Sequence, residues 1–489
     1  MPHTSSTGSI SLFDGADRLA AAVRAKQISA AELVDLTLRE IDRRNPAINA
    51  IVWQFRDAAI ARAKAADEAL ARGADVGPLH GVPITIKEAF AYRGSPNTWG
   101  LPDLARAMSP RTATAVERLE SAGAIVIGKT NVPVMLGDWQ TYNSIYGVTN
   151  NPWDASRSAG GSTGGGAAAV AAGLGALALG SDLSGSIRIP AHFCGVYGHK
   201  PSLELVSTAG FQPGPWDGSP GYPMDLSVVG PIARSARDLS LALGAAGGPN
   251  GEDARAWTWR LPAPRHTRLR DFRIGHVFDD DAAPVAPEIR RMSDEVIGAL
   301  RAAGAKIDRG WPEGIDPHAQ MPTYGYLLGA LVTADMDDAD RARARERFAR
   351  NPKDVFAAAA VEPHARWLHE TLRRLACRAQ WQRYFDAHDV FLLPVAPTPA
   401  FPHDHGPMEK RTIETGGGPR PYAEAIPFWI AQPSLAGLPA TVAPIGRTAA
   451  GLPVGIQIVA PMWEDGTSIE FADRLGDAIG GFTPPPGAA

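Results

Sequence analysis

The stretch NPWDASRSAGGSTGGGAAAVAAGLGALALGSDLSGSIRIP, residues 151–190, places glycine- and serine-rich loops on either side of an apolar run. The run over residues 164–180 is mainly alanine, glycine and leucine, and a helix is predicted at its start. It is shorter than the roughly 20 apolar residues that cross a bilayer. Small residues let a backbone approach a ligand closely, so both loops are candidate parts of a functional site.

Outward from this stretch, apolar strands alternate with amphipathic helices. A β–α–β succession of this kind predicts an α/β fold in which helices cover a central sheet. Two late segments, residues 441–443 and 454–459, are apolar enough for central strands. The other predicted elements are strands at residues 82–87, 124–128, 272–278 and 305–308, and helices at residues 115–122 and 288–303.

Three regions differ from this alternation. Residues 12–75 are predicted to be helical, and Ser29 and Glu32 form the capping box that begins one of these helices. Residues 321–382 are helical in composition and rich in charge, which indicates a solvated helical face. The proline- and glycine-rich residues 394–421 are predicted to form a loop.

The composition is that of an ordinary globular chain. Of 489 residues, 45% are hydrophobic and 20% are charged, and the formal net charge is −4. This balance argues against a nucleic-acid binder with a broad basic surface. Only Cys194 and Cys377 occur, so neither a disulfide framework nor a thiolate zinc site organises the fold. Residues 1–11 lack the features of an export signal, so we expect a cytoplasmic protein without a membrane segment.

The sequence gives little sign of a metal site. Its 12 histidines are scattered, and no HExxH pattern occurs. The triplet His403, Asp404 and His405 is more typical of a surface loop than of a ligand set. We therefore expect no metal.

Three features offer chemistry, and each also has a purely structural explanation. Residues 160–166 precede a helix as a phosphate loop does, but they lack the Gly-Lys-Ser/Thr ending. They also place Ser162 in a GxSxG pattern, as in a nucleophile elbow, although no strand is predicted before it. Lys87 ends a buried strand, where it either reaches water or an ion pair, or is desolvated and acts as a base. A tight turn under a helix explains the loops equally well.

Together these features resemble the amidase signature family of serine hydrolases. The motifs that carry the resemblance follow one another in order through nearly the whole chain. They are GPLHGVPITIKEAF (77–90), GKTNVP (128–133), NPWDASRSAGGSTGGGAAAVAAG (151–173), GSDLSGSIRIPAHFCGVYGHKPS (180–202), GPIARSARDL (230–239), LAGLPATVAPIG (435–446) and GLPVGIQIVAP (451–461).

The resemblance implies one α/β/α domain around a large mixed twisted sheet. This domain is expected to cover residues 8–482, with a flexible tail at residues 483–489. Within it, residues 76–245 would hold the catalytic motifs, and residues 321–382 would form a wall or lid of the substrate channel. The implied activity is hydrolysis of amide bonds without a cofactor.

The same resemblance implies a Ser–Ser–Lys triad. By position, Ser186 is similar to the family's nucleophile, Ser162 to its bridging serine and Lys87 to its base. The bridging serine of the family follows a cis bond, so Gly161–Ser162 is expected to be cis. The backbone N–H groups expected to hold the oxyanion are those of Leu183, Ser184, Gly185 and Ser186.

Supporting residues are expected around this triad. Asp182 and Arg188 flank the nucleophile and are predicted to pair and brace its loop. The chain departs from the family at Thr163, where serine is common, and at Ser184, where glycine is common. Neither change removes a catalytic group, although the acyl pocket is expected to be tighter at Ser184.

The motifs also bear on the branch of the family. The amidotransferase subunits typically carry Ser-Leu-Asp-Gln before a Gly-Pro pair, whereas this chain has YPMDLSVVGP at residues 222–231. The chain therefore resembles stand-alone amidases more closely. Two alternatives remain: an amidotransferase-type subunit that needs glutamine and partner chains, and a Ser-His-Asp esterase that uses Ser162.

Aromatic residues suggest the substrate class. Taken as a set, they predict a small, mainly apolar aryl or alkyl amide, with carbamates (urethanes) and esters as further candidates. Besides this substrate, a second copy of the chain is a possible partner, because homodimers are common in the family. The candidate pocket residues are Trp139, Tyr142, Tyr146, Trp216, Tyr324, Phe428 and Trp429.

Overall fold

The computed structural model describes residues 10–219, 224–281 and 283–487. The helices are α1 (Ala16–Arg24), α2 (Ala30–Ile48), α3 (Arg56–Ala71), α4 (Thr114–Ser121), α5 (Gly164–Ala171), α6 (Arg188–Cys194), α7 (Ala236–Ala246), α8 (Asp253–Ala256), α9 (Pro287–Ala302), α10 (Pro317–Val332), α11 (Asp338–Arg350), α12 (Val355–Val361), α13 (His364–Phe385), α14 (Tyr422–Ala425), α15 (Pro427–Ala436) and α16 (Asp465–Ile479). The strands are β1 (Ile51–Gln54), β2 (Pro83–Lys87), β3 (Ile125–Thr130), β4 (Tyr142–Asn143), β5 (Gly147–Val148), β6 (Leu177–Asp182), β7 (Tyr197–Lys200), β8 (Val228–Ala233), β9 (Arg273–His276), β10 (Lys306–Arg309), β11 (Val390–Pro394), β12 (Thr412–Thr415), β13 (Gly418–Pro421), β14 (Ala440–Arg447) and β15 (Pro453–Val459).

Eleven strands form one mixed sheet in the order β1-β3-β2-β6-β8-β7-β14-β15-β11-β9-β10. Strand β2 lies between β3 and β6 and runs parallel to both, with Ile86 paired to Leu179 of β6. The strands from β6 through β8, β7, β14 and β15 to β11 pair antiparallel. The predicted α/β fold with a large mixed sheet is confirmed.

Helices pack on this sheet in layers. The helices α5 and α6 contact each other and the sheet, and α7 and α16 form a second such pair. All eight residues of α5 are buried, and they are only glycine, alanine and valine. A side chain at Gly165 would place its Cβ 2.5 Å from the backbone nitrogen of Asn131, so α5 packs directly against backbone. This close packing fixes the two loops at either end of the α5–β6 unit.

The charge-rich region is helical, as predicted. It consists of α10, α11, α12 and α13, which pack mainly on one another. Helix α11 exposes most of its residues, with only Ala344 fully buried. Helices α10 and α13 also pack against α15, which connects this group to the rest of the molecule.

One prediction from the sequence is wrong, and others concern residues outside those that the structure describes. Residues 394–421 are not wholly a loop, because β12 and β13 pair there as an antiparallel hairpin. Both strands are edge strands, where proline costs little, so the prolines of β13 and of the surrounding segment hid the hairpin. Residues 483–487 lie in no helix or strand, while 8–9 and 488–489 fall outside the described residues. No described helix is both long and apolar enough to cross a membrane.

Candidate active site

The end of strand β2 buries Lys87 completely. Its Nζ lies 2.7 Å from Ser162 Oγ and 2.9 Å from Ser181 Oγ. Burial lowers the pKa of Lys87 to about 7, although the negative charge of Asp182 opposes the shift. A lysine in this setting holds a neutral amine in a substantial fraction of molecules at neutral pH, so it can accept a proton.

Ser162 begins the turn that leads into α5, and the Gly161–Ser162 peptide bond is cis, as expected. Gly161 is required here, since a Cβ on it would lie 2.3 Å from the carbonyl oxygen of Asp138. Ser162 is only 1% exposed, and the hydrogen bond to Lys87 Nζ accounts for its orientation. Among the described residues, no histidine bonds to the Ser162 hydroxyl, which removes the basis of a Ser-His-Asp triad at this serine.

Ser186 lies in the loop between β6 and α6 and is 7% exposed, so solvent reaches it more readily than Ser162 or Lys87. The backbone N–H of Thr163 donates to the Ser186 carbonyl oxygen at 3.1 Å, which places the two serine loops side by side. The Thr163 hydroxyl donates to the carbonyl oxygen of Ser181 at 3.2 Å. Thr163 therefore ties its loop to both β6 and the Ser186 loop.

A buried ion pair braces the Ser186 loop, as predicted for Asp182 and Arg188. Arg188 donates from Nε and from its terminal nitrogen to the two Asp182 oxygens at 2.9 and 2.8 Å. Both side chains are fully buried. Burial alone raises the pKa of Asp182, but the Arg188 charge and hydrogen bonds outweigh it and lower the pKa to about 2. The carboxylate is therefore ionised throughout the neutral range.

The same carboxylate also binds backbone N–H groups of the loop. Asp182 accepts from the Gly185 N–H at 2.8 Å and from the Ile187 N–H at 3.1 Å. The Gly185 amide was predicted to hold an oxyanion, whereas in this structure its N–H donates to Asp182. Within the described part of the chain, the N–H groups of Leu183, Ser184 and Ser186 have no hydrogen-bond partner and stay available.

Two aromatic side chains converge on Ser184. The Trp139 Nε1–H donates to the Ser184 carbonyl oxygen at 2.6 Å. The Tyr324 hydroxyl, from α10, donates to Ser184 Oγ at 2.8 Å. Of the predicted pocket residues, these two lie against the nucleophile loop, and the partly buried Leu183 lies in the same loop.

The other predicted pocket residues lie elsewhere or serve the core. Trp429 is fully buried and donates to the Ala283 carbonyl oxygen, so it is a core residue. Its neighbour Phe428 is 4% exposed and packs edge-on against it. Trp216 packs over Gly210, where a Cβ would lie 2.9 Å from its ring.

Tyr142 and Tyr146 occupy separate polar surroundings. The Tyr142 hydroxyl lies between Asp138 and Arg411, at 3.2 and 2.8 Å. Tyr146 has a hydrogen-bonded neighbour in Thr98 and lies near the buried Glu88. Neither contact reaches the Ser186 loop.

Sequence reasoning missed Ser181, whose hydroxyl also accepts a hydrogen bond from Lys87. The available signal was its place on β6, the strand next to β2, directly before the conspicuous Asp182. In the described residues, no group of three or more His, Cys, Asp or Glu side chains is arranged to hold a metal ion. Cys194 and Cys377 are both free and buried.

Comparison with known proteins agrees with this geometry. The Amidase family model matches residues 32–468. Indoleacetamide hydrolase of Bradyrhizobium diazoefficiens is 32% identical over 470 residues, covering 94% of this chain and 86% of the relative. A glutamyl-tRNA(Gln) amidotransferase subunit of Thermosynechococcus vestitus is 31% identical over 476 residues, covering 91% and 94%. A solved bacterial aryl acylamidase of the amidase signature enzymes has a TM-score of 0.79 at 25% identity, covering 95% and 96%.

The fold and these matches define the class of protein: an enzyme that hydrolyses amide C–N bonds. The match over residues 32–468 makes the assignment more specific, and the chain belongs to the amidase signature family. The resemblance seen in the sequence is thus confirmed.

Proposed function

We propose that the chain is a stand-alone amidase with Ser186 as nucleophile, Ser162 as bridging serine and Lys87 as base. One observation carries the proposal: a fully buried lysine amine lies 2.7 Å from Ser162 Oγ, beside the loop that holds Ser186. The lowered pKa of Lys87, about 7, supports its role as a proton acceptor.

The reaction follows from these positions. Neutral Lys87 takes the Ser162 proton while Ser162 takes the Ser186 proton, and Ser186 Oγ attacks the carbonyl carbon. The free N–H groups beside Ser186 stabilise the oxyanion of the tetrahedral intermediate. Ser162 then gives a proton to the leaving amine, and the C–N bond breaks. Water, deprotonated through the same two groups, hydrolyses the acyl ester and restores Ser186.

Small apolar amides fit the surroundings of Ser186 best. Trp139, Tyr324 and Leu183 place aromatic and aliphatic groups at the loop. The indoleacetamide hydrolase and the aryl acylamidase among the similar proteins are named for aromatic amides. We therefore propose aryl and alkyl amides as the main substrates, with carbamates and esters as further candidates because they present the same carbonyl group.

One alternative has its own support, namely an amidotransferase-type subunit. The similarity to the glutamyl-tRNA(Gln) amidotransferase favours it, since that relative is one subunit of its enzyme. The absence of Ser-Leu-Asp-Gln before Gly230 favours the stand-alone enzyme instead. A homodimer, a cytoplasmic location and the role of residues 321–382 as a channel wall remain predictions.

The test is hydrolysis by the purified chain of an anilide, an aliphatic amide, an aryl carbamate, an aryl ester and glutamine. Ser186→Ala should lower kcat by about 10⁴-fold or more, and Ser162→Ala by roughly 10²- to 10⁴-fold. Ser156→Ala, at an exposed serine before the same loop, is the matched control and should keep wild-type activity.

Each pattern of results decides between the candidates. Full activity in Ser186→Ala together with loss in Ser162→Ala would return the nucleophile to Ser162. Activity on glutamine alone, and only with added partner chains, would favour the amidotransferase subunit.

A further inference from the structure

Both ends of one peptide group are fixed directly before the nucleophile. The carbonyl oxygen of Ser184 accepts from Trp139 Nε1 at 2.6 Å, and the N–H of Gly185 donates to Asp182 at 2.8 Å. These two groups belong to the same peptide unit, so its plane cannot rotate without breaking one bond. The preceding N–H, that of Ser184, has no partner in the described residues. Its direction depends on how the rest of Ser184 is held.

Tyr324 supplies that remaining constraint. Its hydroxyl donates to Ser184 Oγ at 2.8 Å, and its side chain is only 2% exposed. A glycine at position 184, which is common in the family, offers no atom for this bond. The hydrogen bond is therefore available to this chain because it carries serine there.

Helix α10 holds Tyr324 firmly. The neighbouring Thr323 hydroxyl donates to Glu370 of α13 at 2.7 Å, and Glu370 is 1% exposed. Arg366 and Arg373 bind the other oxygen of the same carboxylate at 2.8 and 3.3 Å. The Tyr324–Ser184 bond thus connects the nucleophile loop to an anchored helix of the region at residues 321–382.

We propose that Tyr324 is a positioning residue that, through the Ser184 hydroxyl, aims the Ser184 N–H at the oxyanion. The inference rests on the proposed function, because it takes Ser186 as the nucleophile. The N–H of Gly185 is already used by Asp182, so the contribution of the Ser184 N–H is correspondingly larger. Because the oxyanion forms only as the reaction proceeds, the effect belongs to kcat and not to KM.

The experiment measures kcat and KM for Tyr324→Phe on the best amide of the panel. Complete loss of one oxyanion donor costs about 10²- to 10³-fold in kcat, so a donor that is misaimed should cost about tenfold. KM should stay near the wild-type value, and the pH profile should keep its midpoint because Lys87 is untouched. Tyr326→Phe, two residues along the same helix and also buried, is the matched control and should leave kcat unchanged.

A Ser184→Gly background separates positioning from general damage to the helix. In that background Tyr324→Phe should have almost no further effect, because the atom that it acts through is gone. An equal loss in both backgrounds, or wild-type kcat in Tyr324→Phe, would overturn the inference. If Ser186→Ala were fully active, the proposed function would fail; an inactive Ser186→Ala beside an unaffected Tyr324→Phe would reject this inference alone.

Discussion

The Ser186 loop and helix α11, in the helical region at residues 321–382, carry charge in opposite ways. Around Ser186, Asp182 and Arg188 are fully buried and bind each other twice. On α11, Arg343 pairs with Asp340 while their side chains remain 66% and 44% exposed. The buried Asp182–Arg188 pair is held in a single arrangement, whereas water competes for the hydrogen bonds of the exposed Arg343–Asp340 pair.

This difference shows that charges have a different structural role in each region. A buried pair is costly to desolvate and is strongly destabilising to break, so it holds one arrangement of the loop. An exposed pair adds little to stability and tolerates replacement. Substitutions in the two regions test this contrast, and loss of the buried pair should lower stability the most.

Arg188→Met should lower the free energy of unfolding by about 3–5 kcal/mol, because it leaves the Asp182 carboxylate buried without its partner. The loss includes hydrogen bonds from Arg188 to the Ile430 carbonyl and to the side chains of Gln457 and Ser434. Arg343→Met, the matched exposed variant, should change stability by less than about 1 kcal/mol. Urea unfolding of the two variants makes the comparison, and equal losses would contradict it.

The pH dependence of activity should report the buried Lys87. With its pKa lowered to about 7, the amine gains a proton as the pH falls below that value and loses its capacity as a base. We expect kcat/KM to fall roughly fiftyfold from pH 7 to pH 5 and to level off above pH 8, as the neutral fraction dictates. Lys353→Met, at an exposed lysine of the helical region, is the control and should show the same pH profile as the wild-type chain. A flat profile between pH 5 and pH 7 would rule out Lys87 as the base.

The smallest effect concerns the buried polar link between α10 and α13 in the helical region. Thr323→Val removes the hydroxyl that donates to Glu370 and should cost about 1.5 kcal/mol of stability. If the region forms a channel wall, the ratio of kcat/KM between the anilide and the aliphatic amide should also change. Thr333→Val is the control, because it breaks only the hydrogen bond from the residue after α10 to the Gly329 carbonyl oxygen of that helix. An unchanged ratio in Thr323→Val would argue against a wall at this position.

Sequence patterns predicted the parts of the site that consecutive residues define. The strand before Lys87 was predicted from its residues, whereas the cis bond at Ser162 and the pairing of Asp182 with Arg188 were expected from the resemblance of these motifs to the family. The structure contains all three. The capping box of Ser29 and Glu32, also predicted from its residues, is present as well. Local patterns of this kind depend on residues a few positions apart, which a sequence displays directly.

Contacts between distant segments were not predictable in the same way. Tyr324 and Ser184 are 140 residues apart in the sequence, and no pattern near either residue indicates that they form a hydrogen bond. The loss of the Gly185 N–H to Asp182 depends on the path of the loop, not on residue type. Trp429 was expected in the pocket because an aromatic ring suits a pocket and a core equally well, and packing placed it in the core.

One free cysteine lies next to the Ser186 loop, and the other lies in the helical region at residues 321–382. Cys194 ends α6, the helix that follows Ser186, and Cys377 lies on α13 of the helical region, both with their thiols buried. A thiol reagent reaches either sulfur only when the surrounding structure opens. The rate at which each thiol reacts therefore measures how often its surroundings open. The order of the two reactions shows whether the structure around α6 or the structure around α13 opens first.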